Sequence, residues 1–235
     1  MSWSSAPQKP AEFAETRLVD AILEERFPVG SNLPAERELA GTLGITRPTL
    51  REALQRMARD GWIEIRQGKP TRVRNYWQEG NLGVLGAIAR RPEHQNTDFI
   101  PNLLSVRQLI APAYTRLAIQ NDPQAIYEVL SEFPELDDKP EVFASYDWKL
   151  HHNLTVVSGN PVFTLILNGF NGLYQQMGEL YFASKISRGH SRSFYTMLLA
   201  AVQDRDPIRA GEITNQIMGE SLAHWRRISN LGGSG

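Results

Sequence analysis

Apolar residues recur at helical spacing in the first 60 residues, and the pattern then changes. From Ala11 to Arg26, Ala14, Leu18, Ala21 and Ile22 mark one buried stripe, which predicts a first helix. Phe27-Pro28-Val29-Gly30 ends it, because proline lacks an N–H and glycine permits a turn. A second helix starts in Leu33-Pro34-Ala35-Glu36-Arg37-Glu38, where proline and acids both suit a helix N-terminus, and it ends at Gly44. Thr46 is the N-cap expected for a third helix running to about Arg59, with Leu50, Ala53, Leu54 and Met57 as its buried stripe. Asp60-Gly61 breaks that helix. Trp62-Ile63-Glu64-Ile65-Arg66 and Thr71-Arg72-Val73-Arg74 then alternate apolar and polar around the turn Gln67-Gly68-Lys69-Pro70, which predicts a β-hairpin with a basic tip. Three short helices followed by a hairpin make a winged helix-turn-helix.

Beyond Tyr76-Trp77 the chain reads as wholly helical. Stretches near 80–90, 98–119, 123–132, 141–157, 161–182, 191–203 and 207–229 carry apolar residues three and four apart. Pro101 and Pro112 fall in one long segment, so an early-turn proline and a kink are expected there. The expected fold is mainly α. It divides into a winged helix-turn-helix over residues 8–76, an all-α bundle of about seven helices over 77–230 that can enclose a cavity, and a flexible tail at 231–235. Residues 1–10 are polar with two prolines and read as a loose arm.

Charge sharpens this division. The chain carries a net charge of −1, yet residues 36–74 hold nine basic and five acidic side chains, a local +4. A basic segment on a neutral chain fits a DNA-binding module, or equally a salt-bridged helix surface. There is no cysteine, which excludes disulfides, thiolate metal sites and thiol nucleophiles. No apolar run approaches a membrane span and the start lacks a secretory h-region, so a cytoplasmic protein without membrane contact is expected.

The chemistry-bearing residues follow from this frame. Thr46, Arg47, Thr49 and Arg51 occupy the exposed first turns of the third helix, which would enter a major groove N-terminus first. Arginine can fork onto guanine acceptors, and threonine can bond phosphate or touch a thymine methyl. Arg37 lies beside them, while Gly68 and Lys69 at the wing tip suit a minor groove. Asp147 and His151, four apart on one helix face, are weak candidates for a metal pair, and two ligands rarely make a tight site. Ser158 stands in Ser-Gly-Asn-Pro and not in a nucleophile elbow, and there is no P-loop or dinucleotide fingerprint. The expectation is no enzyme, no cofactor and no metal.

Two sets of motifs carry a family resemblance. Leu33-Pro34-Ala35-Glu36-Arg37-Glu38-Leu39-Ala40, Gly44-Ile45-Thr46-Arg47-Pro48-Thr49-Leu50-Arg51-Glu52-Ala53-Leu54 and Asp60-Gly61-Trp62 resemble the GntR-type repressor domain. Asn102-Leu103-Leu104-Ser105-Val106-Arg107, Ser158-Gly159-Asn160-Pro161, Leu165 to Gly169, Gly172-Leu173-Tyr174, Tyr181-Phe182-Ala183, Phe194-Tyr195 and Glu220-Ser221 with Trp225 resemble the ligand domain of the FadR subgroup. The resemblance implies a homodimer on palindromic double-stranded operator DNA and long-chain acyl-CoA as effector. It further implies repression of fatty-acid degradation and activation of unsaturated fatty-acid synthesis. The DNA-contacting positions it implies are Ala35, Arg37, Thr46, Arg47, Thr49, Arg51, Gly68 and Lys69. The effector positions are Leu103, Arg107, Tyr181, Tyr195, Ser221 and Trp225, with Arg107 placed to pair with a CoA phosphate. Pro48 and Gln67 depart from the family's Thr and His, which removes one hydroxyl and alters the wing. Many relatives of the ligand domain hold a metal on one Asp and three His. Here Asp147 and His151 match the first half of that set, Tyr195 stands where a His is expected, and His190 and His224 are out of register. A regulator sensing a small carboxylate through such a metal is the second reading, and an acyl-CoA-handling enzyme is the alternative of a different class.

Overall fold

A computed structural model describes residues 9–232, leaving undescribed the side chains of Leu173, Gln175, Gln176 and residues 227–232. The tail expected at 231–235 therefore lies mostly outside the described residues, as does most of the N-terminal arm. The chain divides into two compact units, with the division between His94 and Gln95.

In the first unit α1 spans Pro10–Leu23, α2 Glu36–Leu43 and α3 Arg47–Asp60. Leu18 and Ile22 of α1 and Leu50, Leu54 and Met57 of α3 are buried together with Trp62 and Ile63. Complete burial of each such side chain contributes about 1.5–3 kcal/mol. The turn between α2 and α3 depends on Gly44, whose φ of 65° is left-handed. Thr46 caps α3, its side chain accepting from Thr49 N at 3.3 Å, and Pro48 sits in the first turn, where its missing N–H costs nothing.

The hairpin is shorter than the sequence pattern predicts. β1 (Ile63–Glu64) pairs antiparallel with β2 (Arg72–Val73), Ile63 opposite Val73. The backbone of 30–33 lies along the other edge of β2. Gly30 N donates to Val73 O at 2.9 Å, Val73 N to Ser31 O at 2.9 Å and Leu33 N to Thr71 O at 2.8 Å. That pairing is non-local, and Pro28 and Pro34 hide it from a strand pattern.

The compact unit also runs past residue 76, where the motifs change. α4 (Tyr76–Glu79) and α5 (Leu82–Ala89) belong to it. The Trp62 and Tyr76 rings stand 4.9 Å apart, Asn81 Nδ2 donates to Arg59 O at 3.0 Å, and Arg91 Nε donates to Asp20 at 2.6 Å. The helix expected at 80–90 is thus a strap on the winged helix.

The second unit is all-α. α6 (Phe99–Asn121), α7 (Pro123–Leu130), α8 (Pro140–Val157), α9 (Pro161–Asn168), α10 (Asn171–Phe182), α11 (Lys185–Gln203) and α12 (Pro207–Gly232) enclose one core. α6 packs along α12, and α8 packs against α6, α7, α9 and α10. Pro101 falls in the first turn of α6 and Pro112 in its interior. Two boundaries differ from the periodicity. The stretch 161–182 is two helices, broken at Gly169-Phe170, where glycine and a φ of −105° and ψ of 3° at Phe170 leave the helix. α11 begins at Lys185 and not near 191. Ser184 caps it, and Arg188 turns back to donate to Phe182 O at 2.5 Å and Ala183 O at 3.2 Å, filling the free carbonyls at the end of α10. The polar run Ser187-Arg188-Gly189-His190 carries no apolar stripe, so its helix was invisible to periodicity. Among the described residues no helix is long and apolar enough to cross a membrane.

Gly61 offers a direct test of the first unit. Its φ is 98°, and a Cβ there would meet Glu79 O at 2.8 Å and the Gly80 Cα at 2.8 Å. Gly61→Ala is expected to lower unfolding free energy by at least about 1–2 kcal/mol, read as a lower urea midpoint at unchanged slope.

Candidate functional site

Two surfaces carry chemistry, one in each unit. On the first, the N-terminal end of α3 is exposed. Thr46, Arg47 and Arg51 project from its first turns, and the Arg47 and Arg51 side chains are 56% and 60% exposed. The Thr46 and Thr49 hydroxyls lie 2.8 Å apart, so the cap also orders the second threonine. Ala35 is the N-cap residue of α2 and Arg37 is exposed in its first turn. Gly68 and Lys69 are exposed at the wing tip, Gly68 with a φ of 70°, and Lys69 N donates to Arg66 O at 3.3 Å to close the turn. Helix positions 47 and 51 lie one turn apart on one face, so Arg47 and Arg51 point the same way.

The basic segment is not uniformly free. Arg56 pairs with Glu52, Arg66 with Glu64 and Arg74 with Glu79. Both readings of the charge pattern are therefore present. The far end of α3 and the strand bases are salt-bridged surface; at the start of α3, Arg47 and Arg51 share Glu36 but remain more than half exposed, and Lys69 is exposed at the wing tip.

The second surface is internal. A cavity of about 140 Å³ lies among α6, α8, α9, α10, α11 and α12, walled mainly by apolar side chains such as Ile110, Phe163, Ile166, Met177, Phe194 and Met218. Leu103, Arg107, Tyr181, Ser221 and Trp225 line it. Tyr195 does not. It is fully buried behind the wall and donates its hydroxyl to Asp147 Oδ1 at 2.9 Å. Tyr181 donates to Ser221 at 3.3 Å, linking α10 and α12 across the lining. His190 and His224 stack at 6.2 Å, and Ser187 Oγ lies 2.9 Å from His224 Nε2.

One stretch of the lining is polar and charged. Arg107 Nη2 donates to Asp147 Oδ2 at 3.1 Å, and the Tyr174 hydroxyl donates to the same oxygen. The Arg107 guanidinium also lies 5.0 Å from the centre of the Tyr174 ring. Arg107 is thus held on a carboxylate within the wall. Burial alone would raise the Asp147 carboxyl. The attraction of the His151 ring and the Arg107 guanidinium, with the Tyr174 and Tyr195 hydroxyls, more than offsets this and holds it below the usual carboxylate range. His151 is itself neutral at pH 7, so the Arg107 charge and the hydroxyls sustain the carboxylate there. Burial, then Arg107, lowers the His151 ring to about 3. Its Nδ1 lies 2.8 Å from the Tyr114 hydroxyl, and its buried Nε2 has no hydrogen-bond partner. Burial likewise pushes Tyr114 up to about 12 and raises Tyr174 and Tyr195.

These residues do not fit a divalent cation. His151 Nε2 stands 3.9 Å from Asp147 Oδ1, and among the described residues no cluster of three or more His, Cys, Asp or Glu forms. The Asp147 oxygens already accept from Arg107, Tyr174 and Tyr195, so a guanidinium stands where a metal would need room. Ser158 spends its hydroxyl on Thr155 O at 2.6 Å and on Asn160 N at 3.2 Å, a turn-closing role.

Sequence reasoning singled out neither Tyr174 nor Asp147 as a cavity residue. A signal existed for Asp147. It sits in the stripe Phe143, Tyr146, Leu150, His151, Leu154, and a carboxylate on an apolar stripe requires a buried partner.

Residues 10–73 match the family described as bacterial regulatory proteins, gntR family, and residues 74–231 match the FadR C-terminal domain. The fatty acid metabolism regulator protein of Shewanella oneidensis is 48% identical over 189 residues, 80% of this chain and 79% of that one. Its counterpart in Shewanella frigidimarina is 44% identical over 221 residues, 93% of this chain and 92% of that one. In Pectobacterium atrosepticum a protein of the same name is 42% identical over 222 residues, 94% and 90% of the two chains. Among solved structures, Lar, which controls the Listeria monocytogenes agr system, aligns with a TM-score of 0.63 at 14% identity. That alignment spans 95% of this chain and 99% of that one, and the likeness shows the fold.

The neutral His151 has a consequence for stability. Its pKa is about 3 in the folded protein against about 6.5 unfolded, so the unfolded chain takes up the proton first. The stabilisation is complete above pH 6.5 and is lost as pH falls toward 3. His151→Gln is expected to flatten the decline of unfolding free energy between pH 6 and 4, by up to about 1.4 kcal/mol per pH unit, measured by urea titration at each pH.

Proposed function

From a chain that belongs to the GntR family of bacterial regulatory proteins and carries a FadR C-terminal domain, a DNA-binding regulator of fatty-acid metabolism and not an enzyme, we propose a ligand-released repressor and activator whose effector is long-chain acyl-CoA. The observation that carries this reading is the apolar lining of the cavity in the second unit, where Leu103, Arg107, Tyr181, Ser221 and Trp225 come together. Its walls suit a methylene chain, which gains about 0.8 kcal/mol for each CH₂ removed from water. The cationic and hydroxyl groups among them suit the polar portion of the ligand.

The DNA side of the proposal uses Thr46, Arg47, Thr49 and Arg51 on α3, Ala35 and Arg37 on α2, and Gly68 and Lys69 on the wing. The exposed N-terminal end of α3 would enter the major groove with the arginines forked on base edges, and the wing tip would track the neighbouring minor groove. A homodimer would place two such helices on the half-sites of a palindrome. Repression of degradation genes and activation of unsaturated fatty-acid synthesis would then differ by where the bound site lies in each promoter.

Release is a population shift. Acyl-CoA need bind more tightly to a conformer with low DNA affinity, and the ratio of its affinities for the two conformers sets the loss of DNA binding. The metal-and-carboxylate alternative finds no support in the donor set around Asp147.

Two substitutions test the two sites separately. Arg47→Ala is expected to cost about 1–3 kcal/mol of binding to a preferred duplex, read by fluorescence anisotropy at fixed salt, with palmitoyl-CoA affinity unchanged. Leu103→Trp, which fills the cavity, is expected to leave DNA affinity unchanged and to weaken palmitoyl-CoA binding at least tenfold by calorimetry. DNA affinity retained by Arg47→Ala, or palmitoyl-CoA affinity retained by Leu103→Trp, would reject the respective site.

A further inference from the structure

The two arginines at the exposed end of α3 are not independent. Arg51 Nε donates to Glu36 Oε2 at 2.8 Å, and Arg47 Nη2 lies 3.9 Å from the same oxygen. Glu36 stands in the first turn of α2, so one carboxylate bridges the two helices of the helix-turn-helix at the face proposed to meet DNA. Its side chain is about one-third exposed, while both arginines are more than half exposed. An ion pair this open to water contributes little to folding. A carboxylate among the cations of a DNA-facing surface also opposes phosphate binding. Neither consideration favours an acid at this position.

The geometry of the contact gives Glu36 an action on the arginines. Glu36 takes the Nε edge of the Arg51 guanidinium, which leaves the Nη1 and Nη2 edge free. That edge forks onto the paired acceptors of a guanine. A long, flexible side chain is thereby held in one orientation before binding, and less rotamer freedom is lost when the base contact forms. The same bond strengthens as the groove excludes water, because opposite charges attract more in a low dielectric.

We propose that Glu36 is a positioning residue for base recognition, raising the ratio of specific to non-specific DNA binding by holding Arg51, and secondarily Arg47, in a reading orientation and away from phosphates. The proposal rests on the reading that Arg51 contacts a base. A structural role for Glu36 is the competing explanation, since an acid in the first turn favours a helix N-terminus. The two differ in what they couple to. A helix-end role would act equally on every duplex and would not depend on Arg51.

The test uses the full-length chain and two probes, a 20-base-pair duplex selected by the wild-type protein from a random pool and a scrambled duplex of equal length. Anisotropy titrations compare wild type, Glu36→Ala, Glu36→Gln, Arg51→Ala and the Glu36→Ala/Arg51→Ala double variant across a salt series, with circular dichroism confirming that each is folded. Glu36→Ala is expected to weaken the selected duplex about tenfold and to tighten the scrambled one about two- to fivefold. Its scrambled-duplex salt slope should steepen by about one counterion as the arginines turn to phosphate. Glu36→Gln keeps an acceptor for Arg51 without the charge, so it should retain most of the selected-duplex affinity while still tightening on the scrambled one. In the Arg51→Ala background, Glu36→Ala should change selected-duplex affinity less than about twofold. Additive effects in that cycle, or equal changes on both duplexes, would overturn the proposal while leaving the DNA-contact reading intact. Selected-duplex affinity unchanged by Arg51→Ala would remove the base contact itself and both readings with it.

Discussion

The second unit is organised around one buried carboxylate. An ionised Asp147 inside an apolar bundle is costly unless its charge is answered, and breaking such a pair by removing one partner typically costs about 3–5 kcal/mol. Here the answer comes from three other helices. Arg107 arrives from α6, Tyr174 from α10 and Tyr195 from α11, all on a carboxylate held by α8. Each partner must stay within hydrogen-bond reach, so the relative placement of these helices is constrained around the cavity that three of the four residues line. A bundle held only by interchangeable apolar contacts would lack that constraint. His151 adds to it as a neutral ring fixed against Tyr114.

This arrangement joins the polar core to the proposed ligand site. Arg107, Asp147 and Tyr174 belong at once to the buried network and to the cavity wall. A ligand that displaces or polarises Arg107 therefore acts on the partners of Asp147, and so on the spacing of α6, α8 and α10. Differential affinity for two arrangements of these helices is the physical content of an effector response. The DNA-facing unit shows a related economy. A single carboxylate, Glu36, spans the two helices of the turn and engages Arg47 and Arg51 of α3.

Local signals made much of this legible from sequence. Thr46 as a cap, Gly44 and Gly61 as helix ends and the α3 stripe are each set by residues a few positions apart, and the structure places them as expected. What escaped was non-local. The pairing of residues 30–33 with β2, and the return of α5 to the winged helix, depend on contacts that no periodicity carries. α11 starts within a polar run because Arg188 finds the carbonyls at the end of α10 and Asp138. At the cavity, the family motifs brought Leu103, Arg107, Tyr181, Ser221 and Trp225 together, but Tyr195 serves Asp147 from behind the wall. Its single hydroxyl can point to the ligand or to the carboxylate, and only the packed structure decides which.

The central claim is that occupation of the cavity by long-chain acyl-CoA lowers DNA affinity. The most direct measurement titrates palmitoyl-CoA, with palmitate and CoA as separate controls, into the protein bound to a fluorescent preferred duplex at fixed salt. The account requires palmitoyl-CoA to dissociate the complex at concentrations where neither control does. A complex indifferent to palmitoyl-CoA, or released equally by CoA alone, would contradict it.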